Sequence, residues 1–209
     1  MNIAIFGANG ATGQLLTQYA LSAEHQVTVL TRELSPLRIA ASLSGGPLKI
    51  VRGSVFDLAP VLETLQGVDA VFSALGAHSP FRNENVLPRA VPVIVEAMQQ
   101  AGVRRIIALG SAGALPTAFD KQPVWQRWIV HRILYRYVMK WPVYEQVEQH
   151  RILSNSILDW TMVLPPMLTH GAERGRYRVA LFNLWSHCPG SKMPAAGLLR
   201  HVQLFSTVR

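Results

Sequence analysis

A short apolar run followed at once by a glycine-rich turn opens the chain. The run covers residues 2–6, and the turn places Gly7, Gly10 and Gly13 at intervals of three. A segment of helical periodicity, 14–21, follows the turn without a break. The apolar face of that segment holds Leu15, Leu16, Tyr19 and Ala20. The pattern predicts a strand, a tight turn and the N-terminus of a helix, because glycine enters such turns without steric penalty.

This turn has the chemistry of a phosphate cradle. Glycine lets phosphates approach the main chain closely, and the following helix offers unpaired N–H groups and the positive end of its dipole. The spacing is Gly-x-x-Gly-x-x-Gly rather than the usual Gly-x-Gly-x-x-Gly, and a purely structural turn is the alternative. We expect a dinucleotide pyrophosphate to bind here. The expected binding residues are Gly7, Asn9, Gly10, Ala11, Thr12 and Gly13.

An arginine follows the next apolar run, about 20 residues beyond the last glycine, where a ribose-reading residue is expected. The run 27–30 is typical of a strand, and Thr31, Arg32 and Glu33 come directly after it. An acidic residue at this point would bind the ribose 2′-hydroxyl, whereas a guanidinium suits a 2′-phosphate. Arg32 therefore favours NADP over NAD. A solvated loop arginine beside Glu33 is the alternative.

Apolar strands alternate with segments of helical period along the rest of the chain. Further strands are predicted at 48–51, 70–75, 105–109 and 160–164, and helices at 58–65 and 86–100. This alternation predicts an α/β protein with a Rossmann-like, doubly wound parallel sheet and right-handed crossovers. Ligands of such sheets lie at the carboxyl ends of the strands. That rim should contain the glycine turn, Arg32, the turn 53–55, Leu75, Gly76, Ser111 and the segment 165–167.

Composition agrees with one globular domain. The chain has 209 residues, of which 49% are hydrophobic and 15% charged, so it can bury a full core. We expect an NAD(P)-binding domain over 1–180, with a helical insert at 122–141, and an atypical tail over 181–209. Cys188 is the single cysteine, which excludes an internal disulfide and makes a cysteine metal site unexpected. No signal peptide pattern or apolar run of membrane-spanning length is visible, and we expect a cytoplasmic protein.

The net charge of +8 raises the question of polyanionic partners. Basic residues concentrate in 121–140 and 174–178, but neither stretch carries a nucleic-acid motif, so nucleic-acid binding is not expected. The stretch 124–141 is amphipathic, with Arg132 and Arg136 on the polar face. It is open to three interpretations, namely a cover for the rim with a solvated basic face, a lid over an acceptor pocket, or an interfacial helix that touches anionic lipid.

Several stretches, taken in order, resemble the NmrA-like atypical short-chain dehydrogenase/reductases, and within them the biliverdin-IXβ reductase or flavin reductase type. These stretches include 5–13, 27–32, 53–57, 67–71, 95–98, 156–161 and 165–169. After Tyr177 the chain departs from the ending that the family usually has. The resemblance implies a reductase that uses NADPH, or a regulator that binds NADP.

The same resemblance assigns the remaining candidate residues. It implies that Ser54 and Val55 lie beside the adenine, although the family commonly has Asp where this chain has Ser54. It implies that Ser111, the candidate catalytic residue, lies near the nicotinamide. The other implied cofactor contacts are Ala74, Leu75, Gly76 and Pro165.

The chain lacks the Tyr-x-x-x-Lys pair with which typical short-chain dehydrogenases deliver a proton to a carbonyl. Lys140 precedes Tyr144 in the reverse order, and we expect no tyrosine general acid. His150 is expected to pack against a neighbour. Hydride transfer to an electron-poor flavin-, quinone- or tetrapyrrole-like acceptor needs only orientation, since water can supply the proton. The alternative is a catalytically silent redox sensor or assembly factor that acts through a protein partner.

Overall fold

The computed structural model describes residues 1–32, 47–77, 79, 81–111, 140–165, 168–169 and 193–194. The described residues form two compact units. One is formed by the described residues of 1–76, 86–109 and 148–163, and the other by those of 77–85, 110–147 and 164–209. The first unit carries the main sheet.

Six parallel strands form that sheet, in the order β3-β2-β1-β4-β5-β6. Their bounds are β1 Asn2–Phe6, β2 Gln26–Thr31, β3 Leu48–Arg52, β4 Ala70–Ser73, β5 Arg105–Leu109 and β6 Asp159–Val163. The strand order reverses between β1 and β4, and ligands of open parallel sheets bind at such a switch point. The predicted Rossmann-like α/β fold is confirmed.

Four helices lie among the described residues. Their bounds are α1 Ala11–Ser22, α2 Leu58–Thr64, α3 Val86–Ala101 and α4 Lys140–Ser154. The helices predicted at 58–65 and 86–100 are present, each ending within one residue of its expected end, and the helix predicted over 14–21 begins three residues earlier, at Ala11. The fourth strand ends at Ser73, two residues earlier than predicted, so Ala74 and Leu75 belong to the loop at the carboxyl edge of the sheet.

A continuous apolar core packs α2 and α3 onto one face of the sheet. Its fully buried members include Ala4, Phe6, Val61, Leu65, Val71, Leu87, Val91, Ile94, Met98, Ile106, Ala108 and Leu153. Alternate residues of β1, Ile3 and Ile5, are buried as well, as expected for a parallel strand covered on both faces. This packing fixes the strand ends that carry the candidate site.

The buried face of α1 differs from the predicted one. Gly13, Leu16, Thr17, Ala20 and Leu21 are buried, while Leu15 and Tyr19 are only partly so. The reason is local, because Gly13 lies directly against the backbone of the glycine turn and thereby sets the rotation of the helix.

Two predicted regions lie largely outside the described residues. Of the insert at 122–141, only Lys140 and Trp141 are described, and they begin α4. Of the tail at 181–209, only Met193–Pro194 is described, as β8, which pairs in parallel with β7, Leu168–Thr169. The predicted domain boundaries stay predictions. No helix in the described ranges is both long and apolar enough to span a bilayer.

Candidate functional site

Two of the three turn glycines are required by the protein's own backbone. Gly7 has φ +84°, and a Cβ on it would lie 2.6 Å from the carbonyl oxygen of Ala74. A Cβ on Gly13 would overlap the carbonyl oxygen of Gly7 and would lie 2.8 Å from the Cα of Ala8. These positions close the turn between β1 and α1 and press it against the end of β4.

Gly10 has a different surrounding. Its backbone, at φ −72° and ψ 160°, is one that any residue can adopt, and a Cβ would meet only the oxygen of Gly7, at 3.4 Å. Gly10 is exposed and is the N-cap residue of α1, with no side-chain cap hydrogen bond. The first N–H groups of a helix have no partner within it. The turn therefore presents the uncapped N–H groups of residues 11–13 beside an open position.

A hydrogen bond ties this turn to the end of β2. Asn9 Nδ2 donates to Oγ1 of Thr31 at 2.8 Å, and Gln14 Nε2 donates to the backbone oxygen of Asn9 at 2.9 Å. Arg32, which is exposed, comes directly after Thr31. The predicted pyrophosphate turn and the predicted 2′-phosphate reader are thus brought to the same edge. Sequence reasoning missed Thr31, although a hydroxyl at a strand end was a visible signal.

The turn after β3 lies beside β2. Gly53 N–H donates to the backbone oxygen of Thr31 at 2.9 Å. Ser54 Oγ accepts a hydrogen bond from the backbone N–H of Phe56 at 3.2 Å, so the hydroxyl stabilises its own turn. Val55 packs against the core. The structure places both residues at the predicted edge, and their contact with an adenine stays a prediction.

The segment after β4 completes the rim of the first unit. The backbone N–H of Ala74 donates to the oxygen of Phe6 at 2.9 Å, and its carbonyl faces Gly7. Leu75 is partly buried against the core, whereas Gly76 is exposed. Because β1 and β4 are neighbours, these residues and the glycine turn lie together at the switch point.

Ser111 and Pro165 belong to the second unit. Ser111 is half-buried and Pro165 is buried. The place of Ser111 near the nicotinamide and the cofactor contact of Pro165 stay predictions.

Helix α4 contains Lys140, Tyr144 and His150, the candidate residues for proton transfer. Lys140 Nζ lies over the ring of its neighbour Trp141, 4.6 Å from the ring centroid, and Tyr144 is 43% exposed. His150 packs edge-on against Trp160, with ring centroids 5.5 Å apart, as predicted. Gln149 was not singled out, yet it is buried and its Nε2 lies 3.5 Å from the backbone oxygen of Leu109.

A family profile described as NAD(P)H-binding matches residues 7–185, which is most of the chain. The chain belongs to the NAD(P)H-binding family. The match begins at Gly7, directly after β1, and spans the glycine turn and strands β2 to β6 of the main sheet.

Solved structures with the same fold include members of the short-chain dehydrogenase/reductase group. One from Veillonella parvula DSM 2008 has TM-score 0.75 and 19% identity, covering 99% of this chain and 87% of that one. Another from the same organism, in complex with NADP, has TM-score 0.73 and 20% identity, covering 100% and 88%. ChuY, an anaerobillin reductase from Escherichia coli O157:H7, has TM-score 0.74 and 17% identity, covering 100% and 91%. At these identities the likeness is one of fold.

The residues of this NAD(P)H-binding protein fit a dinucleotide. Backbone N–H groups at an uncapped helix N-terminus attract a pyrophosphate, and the open surrounding of Gly10 leaves room for it. Among the described residues, no group of three or more His, Cys, Asp or Glu side chains is placed to hold a metal ion.

Proposed function

We propose that this NAD(P)H-binding protein is a reductase that uses NADPH to reduce a flavin-, quinone- or tetrapyrrole-like acceptor. The main support for this proposal is the open environment of Gly10. The fold itself explains Gly7 and Gly13, but nothing in the described protein occupies the space beside Gly10. Because Gly10 has no side chain, a pyrophosphate could approach the uncapped N-terminus of α1 at this position.

The preference for NADP rests on Arg32. Its side chain is exposed at the end of β2, and the hydrogen bond between Asn9 and Thr31 holds that strand end to the glycine turn. A guanidinium there can bind a 2′-phosphate with two parallel hydrogen bonds. The bound NADP in a structure of the same fold supports the choice of nucleotide.

The class of acceptor rests on the side chains of α4, the described helix weighed for proton delivery. Bound NADPH would supply a hydride. Tyr144 is 43% exposed and makes no hydrogen bond to Lys140, whose ammonium lies over Trp141, so these two side chains do not form the pair that delivers a proton to a simple carbonyl. An acceptor with a conjugated ring system needs orientation by the protein and can take its proton from water.

The resemblance to the NmrA-like family and to its biliverdin-IXβ or flavin reductase type supports the same acceptors. ChuY, which shares the fold, is an anaerobillin reductase. The single cysteine leaves no internal disulfide to form and supports a cytoplasmic setting.

Loss of NADPH absorbance tests the proposal, with riboflavin, a soluble quinone and biliverdin as separate acceptors. We expect steady turnover with one of them and a clear preference for NADPH over NADH. Gly10→Val is the control that should remove turnover. Tight NADPH binding without turnover for any acceptor would instead support a redox sensor, and absence of nucleotide binding would refute both functions.

A further inference from the structure

Gln149 occupies a buried position on α4 that an apolar residue could fill. Leu153, one turn later on the same face of the helix, is fully buried in the core. Gln149 is equally inaccessible, with 1% of its surface exposed. A buried amide is unfavourable unless its polar atoms find partners, so the question is what those partners are.

One half of the amide has a partner within the protein. Nε2 of Gln149 donates a long hydrogen bond of 3.5 Å to the backbone oxygen of Leu109, the last residue of β5. Since that oxygen can only accept, the amide nitrogen must face it, and this settles which way the amide points. Oε1 of Gln149 then points away, is buried, and has no hydrogen-bond partner among the residues that the structure describes.

The register of the sheet locates the end of β5, to which the amide of Gln149 is bound. Ser73 pairs with Ala108, so Leu109 lies one residue further, level with Ala74. The carbonyl of Ala74 is the group that faces Gly7 in the glycine turn. Strand β5 lies next to β4, and adjacent strands are about 4.8 Å apart. Leu109 therefore lies one strand beyond the switch point between β1 and β4, on the side opposite Arg32.

A second buried polar atom at this edge has no partner. Oγ of Ser73, a residue 4% exposed at the end of β4, has no hydrogen-bond partner in the described part of the chain. Such sheets bind a dinucleotide across both of their halves. The glycine turn and Arg32 serve the adenosine half, which leaves the ends of β4 and β5 to the other half.

We propose that Oε1 of Gln149 accepts a hydrogen bond from the nicotinamide half of the bound dinucleotide. This rests on the proposed function. The donors available on that half are the carboxamide N–H₂ and the ribose hydroxyls, and the buried oxygen offers an acceptor to one of them. The hydrogen bond to Leu109 orients the amide, so Gln149 links the end of β5 to the reacting end of the cofactor.

Binding of two ligands distinguishes a contact between Gln149 and the nicotinamide half from a general disturbance of the nucleotide site. NADPH contains both halves, whereas adenosine 2′,5′-bisphosphate contains the 2′-phosphate and no nicotinamide. The variants are Gln149→Leu and Gln149→Met, which keep the length or volume of the side chain without the amide. Gln99→Leu, at an exposed position of α3, is the matched control. Calorimetry gives the two dissociation constants, and thermal unfolding of the free proteins shows that the variants fold.

We expect both Gln149 variants to bind NADPH about fivefold to twentyfold more weakly, as for the loss of one buried hydrogen bond. Their affinity for the bisphosphate should equal that of the wild type, and Gln99→Leu should change neither constant. Unchanged NADPH affinity overturns the inference, as does a parallel loss for both ligands. A rise only in the KM of the acceptor also overturns it, because the donor would then belong to the acceptor. A wild type that binds neither ligand refutes the proposed function itself.

Discussion

The two halves of the sheet edge satisfy their polar groups in different ways. In the half formed by β1 to β3, Asn9 binds Thr31, Gly53 binds the same strand end, and Ser54 binds the N–H of Phe56. In the half formed by β4 and β5, among the described residues, Ser73 Oγ and Gln149 Oε1 are buried without partners. The polar side chains named in the first half bind partners within the protein, whereas the two buried side-chain oxygens of the second half are left for a ligand to satisfy.

This difference bears on how each half would recognise its part of a dinucleotide. A turn held by its own hydrogen bonds loses little freedom on binding, which favours tight and orientation-specific recognition of the phosphates. Buried polar atoms without partners are costly in the free protein, and a ligand that satisfies them gains more than it would from exposed groups. The contrast can be tested one half at a time.

The largest effect is expected at Gly10. Gly10→Val leaves an allowed backbone conformation but places a side chain in front of the helix N-terminus, where the pyrophosphate would lie. Several charge-assisted hydrogen bonds would be lost together, so nucleotide affinity should fall about a hundredfold or more. Calorimetry with NADPH measures the loss, and circular dichroism should show an unchanged fold.

Gly13→Val is the matched comparison within the same turn. Its side chain would overlap the backbone of Gly7, so we expect destabilisation of about 1–3 kcal/mol or more, seen as a lower Tm without any ligand. If Gly10→Val binds NADPH like the wild type, the turn is only structural and the first half of the comparison fails.

The sequence predicted the glycine turn, the order of the described strands and helices, and the part of the rim that lies in the first unit, because each depends on periodicity and on residues with special backbone freedom. It did not predict that only Gly10 of the three glycines lacks a structural explanation. That distinction depends on how closely α1 and the end of β4 approach the turn. The same contact at Gly13 rotated α1, which is why the buried face of that helix includes Thr17 and Leu21 rather than Leu15 and Tyr19.

Gln149 illustrates a second limit of sequence reasoning. A glutamine between Glu148 and His150 looks like part of a solvated helix face, since both neighbours are polar. Its burial depends on where α4 lies relative to the last carbonyl of β5, and residue spacing does not reveal this. Ser111 and Pro165 lie in the second unit, and their predicted roles stay predictions.

A smaller and more selective effect is expected at Arg32. Arg32→Ala removes a guanidinium from the end of β2 while leaving the hydrogen bond between Asn9 and Thr31 in place. NADPH affinity should fall by about 1.5–3 kcal/mol, the contribution of charge-assisted hydrogen bonds, and NADH affinity should hardly change. Paired titrations with the two nucleotides measure this. Equal losses for both would show that Arg32 does not read the 2′-phosphate, and Arg52→Ala, at an exposed position at the end of β3, serves as the control for a general change in charge.

The smallest effect is expected at Tyr144, the side chain that would matter most in a typical short-chain dehydrogenase. Tyr144 is 43% exposed on α4, and Lys140, in the reverse order along the helix, has its ammonium over Trp141. Without the lysine partner the hydroxyl is not activated as a general acid, so Tyr144→Phe should change kcat by far less than the roughly 10²–10⁴-fold loss that follows removal of a positioned proton donor. Steady-state kinetics with the best acceptor provides the measurement, and Ser111→Ala is the comparison, since a hydroxyl that orients the acceptor should matter more. A hundredfold loss of kcat in Tyr144→Phe, with NADPH affinity unchanged, would return the protein to tyrosine-dependent carbonyl chemistry and remove the argument for a flavin-, quinone- or tetrapyrrole-like acceptor.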